Sequence, residues 1–239
     1  RSVLGSDARK TTKVVGAGRI EPGTGSWLGS WGLELNGDPT LEHQGNEATS
    51  LIDLAGQLAS RGIRRLTGPL VVTSAEGATE ATFPATWSVR HKGRVFAPPV
   101  GNLTVHDNLI AATVAPGARV GRPVQILSTA PNGAARLFTV TAKTVKGRRA
   151  RLRVEALPEG RYLIAGTLGI SAKARGVARA ATDTRVVLEA IWAQALEQAG
   201  IEWTQSPGIG AEASAGAGGV LAEVHSQVFD SIASEINRR

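Results

Sequence analysis

The sequence predicts a mixed α/β protein carrying a β-rich insert. Two observations carry that reading. Two helix–Gly–Ile–strand units stand far apart in the chain, and the residues between them alternate polar and apolar side chains.

The first unit opens at residues 49–60, TSLIDLAGQLAS, where Leu51, Ile52, Leu54, Ala55, Leu58 and Ala59 form one stripe at helical spacing. Ser50 is placed to cap the helix, with Asp53 three residues on in a capping-box position. Gly62 supplies a left-handed stop, and Ile63 turns the chain toward residues 66–73, LTGPLVVT. That run reads as a strand, which Pro69 confines to an edge or a strand start. The second unit, residues 183–199, places Leu188, Ile191, Trp192, Ala195, Leu196 and Ala199 on one face, followed by Gly200, Ile201 and a short run IEW. The repetition suggests two pieces of one α/β layer.

Between them, residues 149–156 turn Arg149, Arg151, Arg153 and Glu155 one way and Ala150, Leu152, Val154 and Ala156 the other. Upstream, Phe138, Val140 and Ala142 alternate with Thr139, Thr141 and Lys143, and Lys146–Gly147 suits a hairpin turn. Residues 103–114 and 124–127 supply further short strands between Pro and Gly. The β-rich insert therefore spans roughly residues 75–162. Residues 205–219, QSPGIGAEASAGAGG, read as a flexible connector. A last helix begins in VFDSIASEINRR, with Val228, Phe229, Ile232 and Ile236 on its apolar side.

Composition bounds what such a chain can do. Its 42% hydrophobic and 20% charged residues belong to a folded protein. No apolar run approaches the roughly 18 residues of a membrane span. The absence of cysteine excludes disulfides, thiol nucleophiles and cysteine metal sites. His43, His91, His106 and His225 are scattered without paired-ligand spacing, so no metal site is expected. The chain starts at Arg1 with neither an initiator methionine nor a signal-peptide pattern, and it reads as a piece of a longer frame. Of the net charge of +7, residues 143–185 hold eleven Lys or Arg against three acids. A solvated face is the expectation there, with an anion-binding surface as the sharper reading. No helix-turn-helix, zinc or aromatic RNA-binding pattern accompanies the charge, so nucleic acid is not an expected partner.

Signatures of nucleophilic chemistry are missing. The sequence contains no S-x-x-K, S-x-N, K-[ST]-G or G-x-S-x-G. GAG at 16–18 and GIG at 208–210 lack a third glycine, and Glu197 with Glu202 reads as solvated helix-end charge. No catalytic, cofactor-binding or metal-binding residue is assigned, and no cofactor is expected.

The order of segments nevertheless resembles a known family. ARKTTKVV, WGLELNGDPTL, LIDLAGQLASRGIRRLTGPLVV, Trp87 with FAPPVGNLTVHDNLIAATVAPGARVGRPV, RYLIAGTLG, VVLEAIWAQALEQAGI and VFDSIASEINRR follow one another as in the low-molecular-mass class C penicillin-binding proteins. These form the D-alanyl-D-alanine carboxypeptidase/endopeptidase family. In it, S-x-x-K precedes this region, S-x-N directly follows the helix ending INRR, and K-T-G lies further on. The resemblance implies an internal fragment of a serine transpeptidase-like (β-lactamase/penicillin-binding) fold with inserted accessory domains. Residues 1–15 and 220–239 would be edges of the catalytic domain, 16–74 and 163–219 an α/β insert domain, and 75–162 a β-rich inner insert domain. It also implies peptidoglycan stem peptides as substrate and partner, no cofactor, and a periplasmic or otherwise extracytoplasmic place in the envelope. In that family the S-x-x-K serine attacks the carbonyl between two D-alanines, and water releases the acyl-enzyme that penicillin traps. The alternative is a non-catalytic module that binds cell wall or another anionic polymer through its basic strands.

Overall fold

A computed structural model of the chain describes residues 8–43, 48–74, 77, 79–205, 218–229 and 231. In chain order the elements are β1 (Thr11–Ile20), β2 (Trp27–Glu34), α1 (Leu51–Ser60), β3 (Arg65–Thr67), β4 (Val72–Thr73), β5 (Ala81–Thr82), β6 (Val100–Gly101), β7 (Leu109–Ala115), β8 (Gln125–Ala130), β9 (Phe138–Val140), β10 (Lys143–Val145), β11 (Ala150–Ala156), β12 (Tyr162–Gly169), β13 (Arg175–Ala180), α2 (Thr184–Gln198), β14 (Glu202–Thr204) and β15 (Gly219–His225). They divide into two compact units, residues 1–80 with 101–105 and 195–239, and residues 81–100 with 106–194.

The first unit is built on a sheet of order β15-β1-β2-β4. β1 and β2 pair antiparallel from Lys13↔Glu34 to Ile20↔Trp27, and an ion pair of 3.5 Å joins Lys13 to Glu34 across the ladder. Val14 and Leu33, opposite one another, are both fully buried. α1 adds Leu51, Leu54, Ala55 and Leu58, all at 0% exposure, so four residues of the expected stripe face this core, while Ile52 and Ala59 are half-buried. Ser50 caps the helix by accepting from the Ile52 amide at 3.2 Å. The second acceptor is not Asp53, which lies exposed in the first turn. Glu42 Oε1 accepts from the Leu51 amide at 2.7 Å and from the Ser50 hydroxyl at 3.0 Å. An aspartate three residues into the helix is a weaker fit to a capping box than the longer Glu or Gln.

The two repeated units close alike. The Ile63 amide donates to Leu58 O at 3.1 Å and the Ile201 amide to Leu196 O at 2.8 Å. Gly62 at φ +91° and Gly200 at φ +73° make these six-to-one closures possible. Both isoleucines are buried. Each closure delivers a strand, and β3 pairs with β14 in parallel, Arg65↔Glu202 through Thr67↔Thr204. The expected single strand over 66–73 is divided. β3 belongs with β14, whereas β4 pairs with β2. The break falls at Gly68–Pro69, where proline has no amide to give a ladder. β15 has no counterpart among the elements expected from the sequence. This strand follows the Gly/Ala-rich connector and pairs antiparallel with β1. Most of that connector, 206–217, and residues 232–239 of the expected last helix lie outside the described residues.

In the second unit, β12 is central to a sheet of order β10-β12-β11, with β9 also pairing β12. Tyr162, Ile164 and Leu168 are fully buried along it, and Ala165 on its opposite face is 6% exposed. A strand so apolar on both faces takes a central position. β10 therefore pairs with it in parallel and β11 antiparallel, on opposite sides. That overturns the hairpin expected at Lys146–Gly147, because β10 and β11 do not pair with each other. A second sheet of order β13-β7-β8 completes this unit's ladders. The strand expected from 103 starts only at Leu109. Before it, His106, Asp107 and Asn108 hold φ of +48°, +53° and +53°. Three consecutive left-handed residues are costly. Asn108 anchors them, its side chain donating to Pro99 O at 3.0 Å and its carbonyl accepting from the Ala181 amide at 2.8 Å. α2 begins as expected, with Asp183 Oδ1 accepting from the Arg185 and Val186 amides at 3.0 and 3.1 Å.

Candidate functional site

Among the described residues, no group of three or more His, Asp or Glu is placed to hold a metal ion. The four histidines occupy different local settings. His225 Nδ1 lies 3.0 Å from Thr11 Oγ1 at the end of β15, His91 packs against Phe96 at 5.2 Å, His106 sits in the left-handed turn, and the His43 amide closes a turn onto Thr40. Of the carboxylate pair considered in the sequence, Glu202 accepts from Arg65 Nε and Nη2 at 3.0 and 2.7 Å. It therefore ties β14 to β3 as an exposed ion pair of small energetic weight. GAG at 16–18 lies within β1 rather than at a strand-to-helix turn, and GIG at 208–210 is outside the described residues.

A buried polar cluster centres on Asp38, 1% exposed. Its Oδ1 accepts from the Thr40 amide at 2.8 Å and the Thr40 hydroxyl at 2.7 Å. Its Oδ2 accepts from the Thr49 hydroxyl at 2.6 Å. The order Asp38-Pro39-Thr40 is the signal for this turn, since an aspartate accepts readily from an amide two residues ahead. Gly37 anchors the other side, its amide donating to Asn102 O at 3.1 Å. All three hydrogen bonds to the carboxylate come from the turn and the residue that precedes Ser50, so the cluster fixes the approach to α1.

A shallow depression on the outer side of α1 is lined by Ile52, Asp53, Gly56, Gln57, Ser60 and Arg61. Gln57 works as a short substitute strand here. Its Nε2 donates to Glu223 O at 2.9 Å, and its Oε1 accepts from the Glu223 amide at 3.1 Å. Arg61 donates to Val220 O at 3.2 Å. β15 is the edge of its sheet, and an unprotected edge is a template for foreign strands. These side chains close it.

In the second unit, Lys143 and Arg151 both lie opposite Thr167, on either side of β12. Arg149, Arg151 and Arg153 are exposed, and Glu155 forms an ion pair with Arg153. The expected alternation holds only in part. Leu152 and Val154 are half-buried, while Ala150 and Ala156 at the strand ends are exposed. The charged row thus lies on an edge strand in water, with one of its cations answered by its own neighbour. Among the described residues no nucleophile, base and oxyanion donor are brought together. What the described residues offer is scaffold: a buried carboxylate turn, a covered sheet edge and a basic strand face.

The sequence model of the D-Ala-D-Ala carboxypeptidase 3 (S13) family matches residues 1–239. No curated protein sequence is matched by the chain. Among solved structures, the chain is similar to penicillin binding protein 4 (dacB) from Haemophilus influenzae, with a TM-score of 0.66 at 20% identity, over 97% of this chain and 49% of that one. It is also similar to the same protein complexed with a novel β-lactam, with a TM-score of 0.60 at 19% identity, over 98% of this chain and 48% of that one. At this identity the likeness carries the fold. The chain spans about half the length of the solved structures it matches.

Proposed function

The chain belongs to the D-Ala-D-Ala carboxypeptidase 3 (S13) family, and from that membership we propose that it is the accessory portion of a serine-type, penicillin-binding D-Ala-D-Ala carboxypeptidase or endopeptidase. The observation that carries this is the family match along the whole of residues 1–239, in a sequence without S-x-x-K, S-x-N or K-[ST]-G. In this reading the acylating serine, its lysine and the substrate-holding strand belong to parts of the protein outside these residues. The chain supplies the domains inserted between the first two motifs. The substrate is the stem peptide of peptidoglycan, met outside the cytoplasmic membrane.

The chemistry needs no cofactor. A serine Oγ adds to the carbonyl between two D-alanines, the terminal D-alanine leaves as the amine, and water hydrolyses the resulting ester. The test separates scaffold from catalyst. Residues 1–239 expressed alone are expected neither to bind a fluorescent penicillin covalently nor to release D-alanine from a pentapeptide. A longer product of the same gene that includes the three motifs is expected to do both. Covalent labelling of residues 1–239 refutes the scaffold assignment, and failure of the longer product to label refutes the enzyme assignment.

A further inference from the structure

Residues 83–99 leave through β5 and return through β6, which pair with each other. Inside this excursion the regular structure is a single 3-10 turn at Val89–His91. A loop so long, with so little secondary structure of its own, is uncommon in a compact unit and is usually a binding element. It is held by its own contacts. Phe83 meets Trp87 edge to face at 5.7 Å, and His91 meets Phe96 at 5.2 Å. The amides of Trp87, His91, Lys92, Arg94 and Ala97 each donate to a carbonyl three residues back.

This ordered loop turns large apolar side chains into solvent. Trp87 is 39% exposed, Val89 79%, Val95 46%, Phe96 68% and Val100 56%. Residues 87–100, the loop with the first residue of β6, thus hold half of the exposed large hydrophobic residues among the described residues. From residue 81 to 106 there is no Asp or Glu, while Arg90, Lys92 and Arg94 stand among the apolar positions. Among the described residues no ion pair engages any of the three.

We propose that this loop docks on an anionic lipid bilayer. Trp87, Val89, Val95 and Phe96 enter the boundary between headgroups and acyl chains, and Arg90, Lys92 and Arg94 meet the lipid phosphates. Two features favour a membrane over a protein partner. The centre of a protein interface is depleted of charged residues other than Arg, whereas Lys92 stands with Arg90 and Arg94 among the apolar side chains here, with no acid beside them. Aromatic tips with basic neighbours suit the headgroup layer, where anionic lipid attracts Lys and Arg within a Debye length. The basic face of β11 has the charge without the apolar contact, so it does not meet both requirements.

The test is co-sedimentation of residues 1–239 with vesicles of phosphatidylcholine and phosphatidylglycerol at about 7:3, against pure phosphatidylcholine, at low and moderate salt. Partition to the anionic vesicles is expected to exceed that to neutral ones by roughly tenfold or more, and to fall with salt. The pair Val89→Ser with Phe96→Ser, and separately the triple Arg90→Gln, Lys92→Gln and Arg94→Gln, should each lower it by about tenfold. All five side chains are exposed, so thermal unfolding of both variants should match the parent. Equal recovery with anionic and neutral vesicles overturns the proposal, as does binding unchanged in either variant. Self-association without vesicles that Phe96→Ser abolishes also overturns it, and assigns the loop to a protein partner.

Discussion

Replacing Asp38 tests whether the buried turn before α1 is held by its carboxylate. The side chain is 1% exposed and accepts three hydrogen bonds, at 2.8, 2.7 and 2.6 Å. Hydrogen bonds to a charged group contribute about 1.5–3 kcal/mol each, but the full sum does not apply. Thr40 is half-buried, so water can replace part of what it loses. The Thr40 and Thr49 hydroxyls, 3.3 Å apart, can also bond to each other. Asp38→Ala is therefore expected to cost about 3 kcal/mol, mostly from the buried Thr49 hydroxyl and the lost charge-assisted bonds. Asp38→Asn keeps an oxygen for Thr40 and offers an amide to Thr49, whose hydroxyl can turn from donor to acceptor. Its cost should be nearer about 1 kcal/mol. Hydrogen exchange of peptides covering β2 and α1 reads this within the first unit alone. Asp38→Ala should speed their slowest amides on the order of 100-fold, and Asp38→Asn by about fivefold. Acceleration under about tenfold for alanine, or equal damage from asparagine, would refute the reasoning.

Two smaller perturbations address the sheet. Gln57→Ala removes both bonds to the Glu223 backbone; exposure lets water compensate, so stability should fall by no more than about 1 kcal/mol, while exchange of the Glu223 amide should quicken by about tenfold in a site-resolved measurement. Trp203 donates from Nε1 to Gly68 O at 3.0 Å and packs edge to face on Trp31 at 5.8 Å. Trp203→Phe keeps a ring but leaves that buried carbonyl without its donor, and should cost about 1–2 kcal/mol in urea unfolding.

Much of the candidate scaffold was legible one residue at a time. Asp38-Pro39-Thr40 announces a turn with a side-chain acceptor, although the sequence cannot show that Thr49 completes it. The absence of acid from 81 to 106 is visible in the sequence. That Trp87, Val89 and Phe96 face outward is not, because apolar residues are normally assumed to be inside. Family membership was legible only in the order of segments, since residues 1–239 contain no S-x-x-K, S-x-N or K-[ST]-G.

The elements the sequence determined are those whose cause is local. Helical spacing in 49–60 and 183–199, the Ser50 cap, and the Gly62 and Gly200 stops all act within one or two turns of the residues that encode them. The partners were decided by the tertiary structure. Alternation in 149–156 specifies a strand without saying that β12, apolar on both faces, would claim the place beside it and send β10 to the far side. Ser50 signals a cap, yet its carboxylate partner came from Glu42, eight residues earlier, and not from Asp53. β15 finds β1 some 200 residues away, from Thr11↔His225 to Gly16↔Gly219, and Gln57 then covers its open edge. A backbone dihedral responds to its immediate neighbours, whereas a strand's amides and carbonyls take whichever free edge the assembled core brings within reach.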